Sequence, residues 1–552
     1  MNRLLFSLFL MALSSITAAA TTQPNILILM AEDMSPRVGA FGDAVAHTPN
    51  LDALAQQGVR YTQMFTTAGV CAPSRAAHIL GMHQIATGTQ HMRSSSRPEG
   101  GYFSVPPEHV KAYPELLRAA GYYTYTGRKL DYQFSKAFPG TGPSSIWDKE
   151  NAAQPGWRDR AANQPFFGFR SFMVTHESGV FPPVGWWPNS VTHLIMSVMR
   201  WFQADGDLPD VVSPQDVVLP PYYPDTPVVR ADIARHYNNI AYMDGEVGEI
   251  LAQLEADGLS DSTIVIWTTD HGDGLPRAKR DLYEAGIKVP MIIRWPEAYR
   301  PAGVAPGALD TRLLSFVDLA PTLLTLAGVS PPDYLHGESF GKNSSSVRDY
   351  IFASRDRIDE VPDRQRAVRD HRYKLIRSWN PQQAGGHPLE FRDNLDMVRE
   401  MRSMFEAGEL NAAQSAWFEA PGEERLFDIQ NDPHELQDLS NDPEHKKVMV
   451  RLRTVLQEWQ KRMGDLDVES ESDMIARIMP EGERLTTPPP TATVRDQKVS
   501  LQGASPHYSL SYRVDGGPWK LYTDPVLLER SANIEAKAER YGWKESNTIS
   551  VP

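Results

Sequence analysis

The sequence predicts an α/β fold built on a mainly parallel sheet. Two continuous apolar runs, at residues 25–30 and 264–267, are typical of strands buried on both faces of such a sheet. Apolar residues between 233 and 254 recur at helical spacing and are followed by Gly258, which indicates a long amphipathic helix before the second strand. From about residue 350 the pattern changes to a smaller unit.

The chain is long enough for more than one domain. Residues 1–20 combine one basic residue, an apolar run and a small-residue end, which is the pattern of a cleavable secretory signal. Residues 486–491 are a linker by composition, and the short strands after them predict a β-module that either binds glycan or is a structural appendage. We therefore predict a signal peptide at 1–20, a catalytic domain at 21–349, a C-terminal subdomain at 350–480, and a linker with a small β-module at 481–552.

The charge balance limits the partners of this protein. Its formal net charge of -14 offers no basic surface for nucleic acid, although a pocket in an acidic protein can be locally basic. After the signal, no apolar run is long enough to span a bilayer. We expect a secreted or periplasmic protein with no membrane span and no nucleic-acid partner.

Cys71 is the only cysteine in the sequence, so it can form no internal disulfide. A lone cysteine is often a small buried apolar residue. Cys71, however, lies in a turn-like segment directly before a stretch that predicts a helix. Backbone N–H groups at a helix N-terminus favour an anion, and a nucleophile placed there can use them.

The run Cys71-Ala72-Pro73-Ser74-Arg75 resembles the signature of the type I sulfatases. The resemblance implies that Cys71 is oxidised to formylglycine by a formylglycine-generating or equivalent maturation enzyme. It also implies an alkaline-phosphatase-like sandwich with a large mixed, mainly parallel sheet and a smaller C-terminal antiparallel-sheet subdomain. A Gly-Thr-Gln-His-Met-Arg run at 88–93 resembles the sulfamidase-like and polysaccharide sulfatase branch and makes His91 and Arg93 candidate substrate contacts.

Acidic residues follow both apolar strands. In open α/β sheets, ligands bind at the carboxyl ends of the strands. Acidic residues at such a place, however, often only belong to a polar loop or cap a helix. Sulfatases hold calcium at these places. The resemblance therefore implies a calcium site, and its ligands would be Glu32, Asp33, Cys71, Asp270 and His271.

The resemblance also assigns the catalytic groups besides Cys71. Arg75, Lys129 and Lys279 would offset charge that develops on the sulfate, with Arg128 as the alternative to Lys129. His176 would protonate the departing sugar oxygen. Asp131 stands where the family carries a histidine.

Two further segments have two interpretations each. The Trp- and Pro-rich insertion at 180–218 is either a helical lid or an aromatic platform for a sugar ring. The arginines between 355 and 366 form either a solvated charged face or contacts to an acidic sugar.

Three functions are compatible with these observations. The first is hydrolysis of sulfate esters on a sulfated polysaccharide or its oligosaccharides. The second is hydrolysis of phosphate or phosphonate esters by the same fold. The third is glycan binding without catalysis, which applies if Cys71 is never converted.

Overall fold

The computed structural model describes residues 23–551 apart from 95–96, 98–99, 154, 186, 204–207, 342–347, 466–468 and 528–531. The predicted signal at 1–20 lies outside the described residues. Among the helices of the described part, none combines the length and the apolar character needed to cross a membrane.

A large sheet organises the first half of the chain. Its strands, within the described residues, are β1 Asn25–Ala31, β2 Val59–Phe65, β3 Tyr123–Gly127, β4 Phe166–Phe172, β5 Thr263–Thr269, β6 Lys288–Arg294, β7 Leu309–Asp310 and β8 Leu314–Ser315. Their spatial order is β3-β4-β1-β5-β6-β2-β7, and β8 also pairs with β2. Strands β3, β4, β1 and β5 are parallel to one another, whereas β6 is antiparallel to both of its neighbours.

Helices cover both faces of this sheet. Within the described residues, the helices of this part of the chain are α1 Pro49–Gln57, α2 Cys71–Leu80, α3 Tyr113–Ala119, α4 Val191–Gln203, α5 Pro227–Ala256, α6 Glu284–Ile287 and α7 Leu319–Leu326. Alternate residues of β1 point to opposite faces, so Ile26 and Ile28 pack with α2, α3 and α7, while Leu27 and Leu29 pack with α1 and α5. The continuous apolar pattern of β1 follows from this two-sided burial.

A smaller antiparallel sheet follows. It has the order β12-β11-β10-β9 and consists of β9 Ile351–Arg355, β10 Gln365–Arg369, β11 Tyr373–Ser378 and β12 Glu424–Asp428. The accompanying helices are α8 Asp396–Ala407, α9 Ala412–Ser415, α10 Lys446–Met463 and α11 Glu471–Ile478. One face of the sheet packs on α10, where the Trp459 ring lies parallel to that of Phe352 at 4.8 Å between centroids.

Two small antiparallel sheets form the end of the chain. Their strands are β13 Thr491–Arg495, β14 Lys498–Gln502, β15 Ser509–Val514, β16 Lys520–Leu521, β17 Val526–Leu527, β18 Ile534–Glu539 and β19 Ile549–Val551. These sheets share a small core that includes Val499, Ile534 and Ala536. The mixed main sheet, the antiparallel second sheet and the terminal β-module confirm the predicted fold class, while the exact domain boundaries stay predictions.

We expect Trp459→Ala to lower the free energy of unfolding by about 3–5 kcal/mol, because it removes a buried ring and leaves a cavity against Phe352. Urea denaturation followed by circular dichroism measures the change. Trp187→Ala is the matched control, since Trp187 is 85% exposed and its loss should cost less than about 0.5 kcal/mol. Equal effects of the two substitutions would contradict this account of the subdomain core.

Candidate active site

The ends of four neighbouring strands create the site. Because β3, β4, β1 and β5 are adjacent and parallel, their carboxyl ends meet at the same edge of the sheet. The segments that follow them carry, in this spatial order, Lys129, His176, the pair Glu32 and Asp33, and the pair Asp270 and His271. The sheet therefore brings together residues that are far apart in the sequence.

Cys71 is the first residue of α2, which ends at Gly81 in the left-handed conformation with φ 66°. Its side chain is fully buried, and Sγ lies 3.3 Å from His271 Nε2 and 3.6 Å from Asp33 Oδ1. The hydroxyl of Ser74, one turn along the helix, donates a 2.6 Å hydrogen bond to the carbonyl of Asp270. These contacts fix the start of α2 against the end of β5.

Asp33 and Asp270 are fully buried carboxylates. Burial acts to raise the pKa of Asp33, but Lys279, His176 and His271 outweigh it and hold that pKa well below its ordinary value. Burial also acts to raise the pKa of Asp270, but the charges of His271 and Arg75 outweigh it and lower that pKa. Both side chains are therefore anionic at neutral pH.

Lysine and arginine side chains contact the carboxylates of this acidic centre. Lys279 contacts Asp33, while Arg75 and Lys129 each contact one oxygen of Glu32. Burial raises the pKa of Glu32 in spite of the two cations, so Glu32 is the least acidic of the carboxylates. The predicted Lys129 thus lies in the site, whereas the alternative Arg128 is partly exposed and lies 3.8 Å from Glu246.

The two histidines of the site differ in charge. Nδ1 of His271 lies 2.9 Å from the carbonyl oxygen of Gly272 and donates to it, because a carbonyl can only accept. The other ring nitrogen, Nε2, faces Asp33 at 3.0 Å. Burial acts against a charge on this ring, but Asp270 and Asp33 raise its pKa well above the ordinary value. His176 has a pKa well below the ordinary value because of burial and the charge of Lys279.

The predicted substrate contacts separate in the structure. Arg93 lines a cavity together with Lys129 and His176, and the charges of Asp131 and Cys71 raise its pKa against the effect of burial. His91 faces the other way, with Nδ1 3.9 Å from a carboxylate oxygen of Glu471. The structure therefore brings Arg93, but not His91, to the catalytic groups.

The cavity has a volume of about 230 Å³ and adjoins His176. Apart from Arg93 and Lys129, its walls come largely from apolar side chains and from α4 of the insertion: Phe138, Met173, Val174, Met196, Met199, Arg200 and Phe391. The guanidinium of Arg200 also donates to the Asn239 side chain at 2.9 Å. Helix α4 thus forms one wall of the cavity, as the lid interpretation requires.

The sequence reasoning missed a chain of ion pairs behind the site. Glu177 contacts Lys279 at 3.5 Å and Arg280 at 2.8 Å, and Arg280 reaches Asp359 at 3.1 Å. The backbone N–H of Glu177 donates to Asp33 at 2.7 Å. Adjacency to His176 and Lys279 was the only available signal for Glu177 and Arg280, and none existed for Asp359.

The arginines between 355 and 366 are paired within the chain. Arg355 contacts Asp281 and Asp363, Arg357 contacts Glu471, and Arg366 contacts Asp356 and Asp465. Arg364 lies 3.7 Å from Asp465 and over the ring of Trp379. Their contacts support a network that ties the subdomain together rather than a substrate surface.

The residues of the centre fit a divalent cation. Two overlapping groups each place one possible ligand atom per residue within 4.8 Å of the others. The first consists of Asp33, Cys71, Asp270 and His271, and the second of Glu32, Asp33, Cys71 and His176. Lysine, arginine and imidazolium groups contact the carboxylate oxygens, so the negative charge of the centre is balanced by positive groups at the place where a cation would bind. Buried carboxylate oxygens are the ligands that calcium prefers.

Comparisons with known proteins point to one family. The Sulfatase family model matches residues 24–329, and the model described as N-sulphoglucosamine sulphohydrolase, C-terminal, matches residues 277–415. An ulvan-active sulfatase of Formosa agariphila is 36% identical over 556 residues, covering 96% of this chain and 91% of that protein.

Solved structures show the same fold. A 2-O GAG sulfatase has a TM-score of 0.57 at 21% identity and covers 82% of this chain and 96% of its own. The phosphonate monoester hydrolase of Agrobacterium radiobacter has a TM-score of 0.52 at 18% identity, covering 80% and 96%. Together with the family match over the strands that carry the site, the 36% identity across nearly the whole chain shows that this protein belongs to the sulfatase family and is a sulfuric ester hydrolase.

Proposed function

We propose that this enzyme hydrolyses sulfate esters on a sulfated polysaccharide or its oligosaccharides, with a formylglycine derived from Cys71 as the nucleophile and calcium as the metal. The observation that carries the proposal is the place of Cys71. It begins a helix between buried carboxylates and buried cations, which together suit a metal and a sulfate group.

Conversion of Cys71 has a structural requirement. The side chain is fully buried, and all ten residues of α2 are buried with it. A maturation enzyme cannot reach this thiol in the folded protein. We therefore place the modification before folding is complete, during export to the periplasm or the cell exterior.

The charged side chains supply the binding of the sulfate. Lys129, Lys279 and Arg93 are cations that face the cavity or the Cys71 side chain, so they balance the charge of the ester and of the oxygens as the bond to sulfur breaks. Calcium held by Asp33 and Asp270, with Glu32, would polarise the sulfate oxygens. His271 would join these ligands after losing the proton that it carries without a metal, since a histidine ligand must be neutral.

The leaving oxygen needs a proton. Because burial and the charge of Lys279 hold the pKa of His176 well below its ordinary value, its ring is neutral at neutral pH. A neutral ring can donate a hydrogen bond to the leaving oxygen. Lys279 stays protonated because Asp33 raises its pKa in spite of burial. We assign the leaving oxygen to His176 and Lys279 together: the neutral ring of His176 donates a hydrogen bond to it, and the protonated Lys279 supplies the proton.

The cavity supports a glycan substrate. Its walls combine apolar side chains from α4 and Phe391 with the cations Arg93 and Lys129. A sugar ring with an anionic substituent offers the matching apolar face and charge. The relative from Formosa agariphila is an ulvan-active sulfatase, which also supports a glycan substrate. The second candidate, a phosphonate or phosphate ester hydrolase, is favoured only by its shared fold.

We expect Cys71→Ala to reduce sulfate release by roughly a thousandfold or more, because it removes the nucleophile. Ion chromatography of released sulfate, with phosphate and phosphonate esters assayed in parallel, measures the change and separates the two candidate functions. Mass spectrometry of the wild-type peptide should show the aldehyde at position 71. Full activity of the alanine variant would refute the assignment, and preferential phosphonate hydrolysis by the wild type would favour the alternative.

Asp270→Asn should weaken calcium binding by at least about tenfold and lower activity with it, because one anionic ligand is lost. Isothermal titration with calcium after chelation gives the affinity directly. Asp257→Asn is the matched control, since Asp257 lies in an exposed pair with Arg158. Undiminished turnover after thorough chelation, with no metal detected by elemental analysis, would disprove a calcium requirement.

Arg93→Ala and His91→Ala form a matched pair of substitutions two residues apart. Loss of the Arg93 cation should lower kcat/KM on the glycan by roughly 10- to 100-fold. The His91 change should cost less than about threefold, because its ring faces Glu471 rather than the cavity. Steady-state kinetics on one defined sulfated oligosaccharide measures both. A larger loss for His91→Ala would contradict the placement of these side chains.

A further inference from the structure

The segment between β3 and β4 carries Lys129 but has little regular structure. Residues 128–148 are loops and turns, and Arg128, Asp131 and Gln133 all have positive φ, at 65°, 60° and 66°. L-residues adopt this conformation rarely, and it persists where the surrounding structure holds it. The same segment supplies Ala137 and Phe138 to the wall of the cavity.

The terminal β-module holds this segment from outside. The ring of Tyr541 stacks on that of Phe134 at 4.9 Å between centroids and 9° between planes, and both side chains are buried. Phe134 in turn stacks on Tyr132 at 5.6 Å. Further along, the Glu539 carboxylate accepts hydrogen bonds from the backbone N–H groups of Ser144 at 3.2 Å and Ser145 at 2.8 Å.

The module is also anchored to α3. The Tyr541 hydroxyl donates to Glu115 at 2.6 Å and accepts from the backbone N–H of Ala112 at 3.2 Å. Glu115 also accepts hydrogen bonds from Ser509 of the module and from Ser145 of the segment, each at 2.6 Å. One buried carboxylate therefore connects the module, α3 and the segment that carries Lys129.

The two tryptophans of the module lie against cations of the module itself. Trp519 lies against two cations of the module itself, Arg513 at 4.7 Å and Lys537 at 4.8 Å. The Trp543 ring lies against Arg540 at 4.9 Å. The contacts of the module with the catalytic domain, in contrast, involve the buried side chains of Tyr541 and Ser509.

We propose that the terminal β-module positions the active site, and that Tyr541, stacked on Phe134, is the positioning residue that holds Lys129 and the adjoining cavity wall. The proposal rests on the proposed role of Lys129 in sulfate hydrolysis. The path runs from Tyr541 through Phe134 and Tyr132 to the loop in which Lys129 contacts Glu32. The proposal assigns the module an effect on kcat.

The test uses the full chain with Tyr541→Ala, Tyr541→Phe and Trp519→Ala. Tyr541→Ala removes the ring that supports Phe134, so kcat should fall by roughly 10- to 100-fold, with little change in KM, on both para-nitrophenyl sulfate and a sulfated oligosaccharide. Tyr541→Phe keeps the ring and should restore most of kcat. Trp519→Ala is the matched control, because its ring contacts Arg513 and Lys537 within the module, and it should behave like the wild type.

Hydrogen–deuterium exchange supplies a readout that does not depend on catalysis. In Tyr541→Ala, peptides covering residues 128–148 should exchange faster than in the wild type and in Trp519→Ala. If Tyr541→Ala yields little folded protein, Glu539→Gln is the second variant, since it weakens the bonds to Ser144 and Ser145 without emptying any volume.

Unchanged exchange in 128–148 would overturn the proposal, and so would faster exchange with an unaltered kcat. A higher KM on the oligosaccharide with an unchanged kcat would also overturn it, because that is the result expected of a glycan-binding module. If the wild type releases no sulfate from any substrate while exchange still rises in Tyr541→Ala, the proposed function fails and the structural coupling stands.

Discussion

The burial of three carboxylates at one edge of the sheet is the constraint on which the rest of the site depends. Glu32, Asp33 and Asp270 are fully buried, and isolated charges in such a place would be strongly unfavourable. Each is therefore matched by cations from other segments: Arg75 from α2, Lys129 from the loop after β3, and Lys279 from the loop after β5. These pairs join segments that are far apart in the sequence, so each charge is neutralised only when the two segments that carry the pair pack together.

The same electrostatics links scaffold and chemistry. Groups that hold the carboxylates in the folded protein are the groups suited to a sulfate ester, so structure and function use one set of side chains. Strain is concentrated here as well, since Asp33, Arg93, Asp131 and Arg280 all have positive φ. Arg280 contacts Asp359 of the subdomain, and Tyr541 of the terminal module stacks on Phe134, which lies in the same loop as Asp131.

Much of this could be predicted from the sequence, and the limits have physical reasons. Apolar strands followed by acidic residues identified Asp33 and Asp270, because strand direction determines where such residues meet. Loops have no comparable periodicity, so the sequence could not distinguish Lys129 from Arg128 or separate Arg93 from His91. Long-range partners such as Asp359 and Tyr541 left no local pattern, because their contacts depend on how separate units pack together.

The central claim is that Cys71, the carboxylate cluster and its cations form a single sulfate-binding centre. A crystal structure of calcium-loaded Cys71→Ala with a sulfated oligosaccharide tests it most directly. The account predicts that calcium lies between Asp33, Asp270 and His271 and that the sulfate faces position 71 with Lys129, Lys279 and Arg93 around it. A sulfate bound away from these residues, or a metal that avoids Asp33 and Asp270, would contradict it.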